Sequence, residues 1–181
     1  MKKLLILILL LLSSLTSYAD GKVKELDKEP AKQSKILHIE CGANQAADTS
    51  AAWSDNLDEA TLAKGYSYEV TGDVYNWGGK RGCWYSGATF EFTLKVPKGV
   101  KGKLYLYCVD YEANVRAEKI SLNDDELIEI NQFGPYPDSG KWIEIPITEK
   151  QSKNGQLTIS IQSTGQVNAV LSIVDFQPEQ P

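Results

Sequence analysis

From residue 36 onward the dominant hydrophobic period is two. Phe90, Phe92, Leu94 and Val96 alternate with Glu91, Thr93 and Lys95. Ile143, Ile145 and Ile147 alternate with Trp142, Glu144, Pro146 and Thr148. Leu157, Ile159 and Ile161 alternate with Thr158, Ser160 and Gln162. Successive strand side chains point to opposite faces, so each run predicts a strand with one face in the core. Residues 104–109 and 167–176 are apolar at nearly every position and predict central strands. Residues 36–41, 66–71, 115–122 and 127–130 complete the set. Turn residues separate the runs: Pro97 with Gly99 and Gly102, Asn123 with Asp124 and Asp125, residues 135–140, Asn154 with Gly155, and Gly165. A short helix is predicted over 58–64, where Ala60, Leu62 and Ala63 favour one. Pro146 lacks a backbone N–H, which predicts a sheet edge or a bulge. The fold class is all-β, an antiparallel jelly-roll β-sandwich of about eight or nine strands.

The N-terminus follows a different pattern. Lys2 and Lys3 precede an unbroken apolar run over 4–12, too short to span a bilayer comfortably. Small and polar residues follow, and Ser17 and Ala19 fit a signal-peptidase site. Residues 1–19 therefore read as a signal peptide, with no transmembrane segment left after cleavage. Residues 20–35 are dense in charge and contain Pro30, which predicts a flexible polar tether. The sandwich is expected over 36–177, with a C-terminal tail over 178–181. The protein is expected to be periplasmic or extracellular.

Composition narrows the chemistry. The 181 residues carry 19 Lys and Arg against 24 Asp and Glu, a net charge of −5. The arginines are Arg81 and Arg116, and the single histidine is His38. A nucleic-acid reader needs a basic excess, so nucleic acid is excluded as a partner. A site of several histidine ligands is impossible, and a Ser-His-Asp triad would have to run through His38. Cys41, Cys83 and Cys108 all lie beyond the signal. An odd number leaves one thiol over, and Cys83 is expected to be the most accessible, with a bridge to Cys41 or Cys108 open. Neighbouring carboxylates such as Asp124 with Asp125 are poorly placed to flank a glycosidic bond, and the chain is read as a non-enzyme.

Candidate binding residues cluster in three places. Tyr75, Trp77, Trp84 and Tyr85 fall in the Gly-rich stretch 74–87, which predicts a sculpted loop. Aromatic rings pack on the C–H face of a pyranose, while Lys80, Arg81, Asn76 or Asp73 can bond its hydroxyls. The second cluster is Asp110, Tyr111, Asn114 and Arg116, where Arg116 either donates to a ligand or pairs with Asp110. The third is Tyr136, in a turn that ends near Trp142. Asn44, Asp48 and Asp55 crowd the loop after the first strand, with Asn56 and Asp58. Their oxygens suit calcium, but their spacing matches no EF-hand, and a solvated acidic loop is the stronger reading. No cofactor is required.

The order of these elements resembles a known group. The runs are Phe90-x-Phe92-x-Leu94, Gly102-x-Leu104-x-Leu106-Tyr107, Asp110, Arg116, Ile120-x-Leu122-Asn123 and Leu127. Trp142-Ile143-x-Ile145, Gly155-x-Leu157-x-Ile159 and Ala169-Val170-Leu171-Ser172 follow. This is similar to the galactose-binding-like jelly-roll domains of carbohydrate-binding modules. Ile39-Glu40-Cys41-Gly42 with Asp48, Trp53 and Asp55 also resembles malectin-like domains. The resemblance implies a non-catalytic module that binds a glycan or polysaccharide with loops at one end of the sandwich. A surface or secreted protein is the alternative partner. Members often hold a structural calcium completed by an acid in the last strand, where this chain has Ile173.

Overall fold

A computed structural model describes residues 22–30, 36–46, 49–78, 81–110, 115–131, 133 and 140–179. The expected signal peptide over 1–19 and Asp48, Lys80, Tyr111, Asn114 and Tyr136 lie outside the described residues. In chain order the strands are β1 (Lys24–Leu26), β2 (Leu37–Glu40), β3 (Ser50–Ala52), β4 (Glu59–Leu62) and β5 (Ser67–Thr71). Next come β6 (Tyr75–Trp77), β7 (Cys83–Ser86), β8 (Thr89–Lys95), β9 (Gly102–Val109) and β10 (Glu118–Leu122). The last are β11 (Asp125–Ile130), β12 (Gly140–Ile147), β13 (Gln156–Ser163), β14 (Ala169–Leu171) and β15 (Ile173–Pro178). Helix α1 spans Glu149–Ser152, and Trp53–Asp55 forms a 3₁₀ turn.

The strands build three antiparallel sheets, in the orders β1-β12-β9-β15-β2-β4, β11-β10-β13-β8-β5 and β14-β7-β6-β3. One core joins them. The six-stranded sheet contributes Leu37, Ile39, Leu104, Leu106, Ile143, Ile145, Val174 and Phe176. The five-stranded sheet faces it with Phe90, Phe92, Leu94, Ile120, Leu157, Ile159 and Ile161, and the four-stranded sheet adds Trp84, Ala169 and Leu171. The period-two runs give the inward faces as read. β8 alternates exposed and buried along most of its length, and β13 buries Leu157, Ile159 and Ile161. The chain is thus an all-β antiparallel sandwich.

Several expectations are corrected. Among the described residues the strands number fifteen rather than eight or nine, because three- and four-residue strands leave too few alternations to show a period. The helix expected over 58–64 is β4, an edge strand paired with β2. Its helix-favouring Ala60 yields to the backbone pairing that β2 offers, as tertiary context overrides a weak propensity. Within the expected tether, β1 pairs with the edge of β12, and Lys24 and Glu25 reach Glu144 and Lys141 at 4.0 and 3.1 Å. Its charges suit an edge strand, which keeps one side wet. The run 167–176 is two strands. At Ser172 the chain passes from the four-stranded to the six-stranded sheet, donating its N–H to Tyr107 and accepting from Cys41. Pro146 falls beyond the last β1 partner of β12, where no ladder donor is needed on that side.

Candidate functional site

The stretch 74–87 is a hairpin, not a loop. β6 and β7 pair as Tyr75 with Tyr85, Asn76 with Trp84, and Trp77 with Cys83. Its Tyr, Trp and Cys side chains suit a pleated surface. Alternation then sorts the aromatics. Asn76 and Trp84 point inward and are buried, while Tyr75, Trp77 and Tyr85 share the outer face with Val170 of β14. Tyr75 is 45% exposed, among the most exposed large hydrophobic side chains described. Its ring stacks on Tyr85 at 5.6 Å between centroids with planes 29° apart. On the far side of Tyr75 in the ladder stands the small side chain of Ala52. The face is therefore a shelf of rings on a sheet, rather than a cluster of loops at one end of the sandwich.

The shelf continues onto the six-stranded sheet. Cys83, Val109 and Val170 form a small apolar cluster, and Trp77, Tyr85 and Tyr107 pack against it. Tyr107 in turn meets Trp142 at 5.0 Å. Arg81 is exposed, and its guanidinium lies 4.8 Å over the Tyr107 ring. Rings, a cation and open space make a surface on which a flat, partly apolar ligand can lie.

Three expected site residues are interior. Trp84 is fully buried, stacked with Tyr68 at 5.9 Å and tilted against Phe92 at 5.6 Å. Its indole N–H donates to Asp58 Oδ1 at 2.8 Å. Asp110 and Arg116 are buried together, with Arg116 Nε 3.8 Å from Asp110 Oδ1, and the Arg116 backbone N–H donates to Asp110 Oδ2. Arg116 also donates to the Asn168 carbonyl. This is the pairing alternative at the hairpin mouth, and it removes both groups from a surface ligand. Burial of a charge is tolerated here because opposite charge and backbone dipoles surround it.

Asp58 is the organising group of the acidic loop. Its Oδ1 accepts from the Gly42 backbone and from Trp84, and its Oδ2 accepts from the Tyr68 hydroxyl at 2.9 Å. Burial and the Asp58 charge push the Tyr68 hydroxyl pKa up. Asn44 donates to the Asp58 carbonyl, and Asp55 lies exposed in the 3₁₀ turn. Among the described residues, no three His, Cys, Asp or Glu side chains converge as a metal cage.

The cysteines are also corrected. Cys41, Cys83 and Cys108 are all free thiols, and all are buried, Cys83 to 1% exposure. Cys83 pairs opposite Trp77 under the aromatic shelf, so the hairpin covers it. Burial pushes the Cys41 and Cys108 thiols well above the ordinary range, with further elevation from Asp58 and Glu118 respectively. His38 lies between two carboxylates, with Nδ1 2.5 Å from Asp175 Oδ1 and Nε2 3.2 Å from Glu40 Oε1. It ties β2 to β15.

No protein-family model matches the chain, and no curated protein matches it by sequence. Solved structures are similar to it at low identity. An exo-β-1,3-galactanase from Phanerochaete chrysosporium, bound to β-1,3-galactotriose, is 14% identical with a TM-score of 0.43. The match covers 73% of this chain and 29% of that one. TmCBM61 in complex with β-1,4-galactotriose is 17% identical with a TM-score of 0.29, over 64% of this chain and 90% of that one. A carbohydrate-binding module of the β-sandwich superfamily is 17% identical with a TM-score of 0.33, over 72% and 62%. The structures it resembles include β-sandwich carbohydrate-binding modules. The chain spans less than a third of the galactanase chain.

Two residues of weight escaped the sequence reading. Tyr107 sits in a run apolar at nearly every position, which hides its outward direction. The signal was the inner series Leu104, Leu106 and Cys108, which leaves Tyr105 and Tyr107 outside. Asp58 looked like one acid among several. A groove of about 1160 Å³ also exists, at the Gly102 end of β9, lined by Lys101, Lys103, Asp124, Lys150 and Gln156 among others. No aromatic ring lines it, and Lys101 and Lys103 are paired with Glu149 and Glu144 at 3.0 and 3.1 Å.

Proposed function

We propose that the chain is an exported, non-catalytic glycan-binding module whose ligand lies on the outer aromatic face of the four-stranded sheet. The observation that carries this reading is the exposed Tyr75, stacked on Tyr85 and flanked by Trp77, on a rigid strand pair. A sugar ring pairs its axial C–H groups with an aromatic face and sends its hydroxyls sideways. Strand-borne rings are already ordered, so little side-chain freedom is lost on binding. The N-terminal basic-apolar-small pattern supports export. No cofactor enters the reading: the oxygens of Asp58, central to the acidic loop, are occupied by protein donors.

A glycan array followed by calorimetry on the best ligand tests it. Tyr75→Ala is expected to lower affinity at least about tenfold, the scale of one lost ring contact. Its melting temperature should stay close to wild type, because the side chain is exposed. Trp77→Ala should weaken binding similarly. Absence of binding to every glycan, or unchanged affinity in Tyr75→Ala, would overturn the proposal.

A further inference from the structure

We infer that the open edge of β4 is a contact between two copies of this chain, each β4 pairing antiparallel with the other across a two-fold axis at Thr61. This edge belongs to a different sheet from Tyr75 and is separate from the glycan-binding face. β4 ends the six-stranded sheet, and among the described residues no strand pairs with its far side. All four of its residues are exposed, and Leu62 keeps 37% of its surface open. An edge strand offers unpaired N–H and C=O groups to any chain that fits, so edges are usually guarded by charge. β1 carries Lys24 and Glu25, β5 carries Glu69, and β11 carries Asp125, Glu126 and Glu129. Residues 60–62 of β4 carry no charge. β3 is also uncharged, but it has three residues and no exposed large apolar side chain.

The ladder fixes which backbone groups are open. In an antiparallel pair the N–H and C=O of one residue point to the same side, and successive residues alternate. Cys41 donates to the Ser172 carbonyl, so Leu37 and Ile39 turn to β15, while His38 and Glu40 turn to β4. Ala63 donates to the Ile36 carbonyl at 2.9 Å, in step with the pairing of His38 with Thr61. Glu59, Thr61 and Ala63 therefore turn their backbone groups to β2, and Ala60 and Leu62 turn theirs outward. A second β4 can join only where outward residues meet outward residues, which requires an axis through a residue. With the axis at Thr61, Ala60 pairs with Leu62 of the second copy, and Leu62 with its Ala60. Thr61 then stands opposite its own counterpart, a favourable cross-strand pair. Just beyond the strand, Asp58 and Lys64 come opposite each other, acid to base, and each Glu59 faces an Ala63. Leu62 shares the core-facing side with its β2 partner Leu37, which is fully buried, so the second copy extends the core over it. An axis at Leu62 would bring Gly65, a turn residue at φ 91°, into the ladder opposite Glu59.

The experiment is sedimentation equilibrium of the whole chain from about 10 µM to about 1 mM, the range that suits a short contact. The mass is expected to rise from one chain towards two. Thr61→Lys sets two like charges against each other on the axis. It should raise the dissociation constant at least about tenfold while keeping the circular dichroism and melting temperature of the wild type, because the position is exposed. Mild oxidation of two cysteine variants tests the register, since the native thiols are buried. Thr61→Cys places its two copies about 4.5 Å apart at Cα and should give a disulfide-linked dimer. Ala63→Cys, also exposed, places them four residues out of step, roughly 14 Å, and should stay a single chain. A mass that stays at one chain throughout, a Thr61→Lys chain that associates like the wild type, or equal cross-linking of both cysteine variants overturns the inference.

Discussion

Glu118 is the clearest single-residue liability. It is fully buried on β10, and its Oε1 accepts from the Val170 N–H at 2.6 Å, which gives edge strand β14 a partner on its open side. Burial raises its pKa from 4.5 to about 8, against the lowering effect of Arg116. A carboxyl with a raised folded pKa binds its proton more tightly in the folded state. Its stabilising contribution is complete below the unfolded value and is lost as pH rises through the folded one. Thermal unfolding between pH 4 and 9 should therefore show the wild type losing stability relative to Glu118→Gln from about pH 4.5 to about pH 8. Parallel curves for the two proteins would contradict this. Asp58 is a second residue of consequence. Asp58→Ala strands the buried indole N–H of Trp84 and leaves the Tyr68 hydroxyl only its longer bond to Asn56. An unsatisfied buried donor costs about 1–3 kcal/mol, so denaturant unfolding should report a loss of that order.

The β6–β7 hairpin shows what glycine does at the level of an element. Gly78 and Gly82 both dock against the chain that follows β2. A Cβ on Gly82 would stand 2.4 Å from the Cys41 carbonyl oxygen, and one on Gly78 would stand 2.6 Å from the Ala46 carbonyl oxygen. The glycines permit close approach of two backbones, and this positions Arg81 beside Tyr107. Gly87, in the same stretch, has nothing within 4 Å of its virtual Cβ. Gly82→Ala is accordingly expected to cost about 1–3 kcal/mol, the scale of a forced backbone shift, and Gly87→Ala less than about 0.5 kcal/mol. Helix α1 is the opposite case, an element with a local signature. Thr148 and Gln151 make a capping box, with the Thr148 side chain accepting from the Gln151 N–H. The pattern of threonine followed three residues later by glutamine marks it, but four residues carry no visible helical period.

The whole molecule is held by one core shared among three sheets, and that arrangement decides what faces out. Cys41 and Cys108 are enclosed by it, and Cys83 is buried in the small cluster with Val109 and Val170. Titration with DTNB should find no rapidly reacting thiol in the native chain and three per chain after denaturation without reductant. Fewer than three would indicate a bridge. The outer face of the six-stranded sheet carries a row of interacting polar groups, in register from Lys24 through Glu144, Tyr105 and Asp175 to His38. Burial, with Glu144 beside it, pushes the Tyr105 hydroxyl up to about 12. These groups pair with one another along the register, while Tyr75 of the aromatic shelf stays exposed.

By itself the sequence determined the all-β class and the inward residues of the long strands, because period-two patterning is a local record of which face avoids water. It also identified the hairpin that carries the shelf as the richest aromatic segment. Only the tertiary structure decided which aromatics serve which end. Trp77 and Trp84 are equivalent in composition and differ in fate, because pairing places Trp84 with Asn76 on the inner face and Trp77 with Cys83 on the outer. Arg81 and Arg116 divide in the same way, one lying over the half-buried Tyr107 ring and the other enclosed with Asp110. Burial depends on which strands meet across the core, and those partners are distant in the chain.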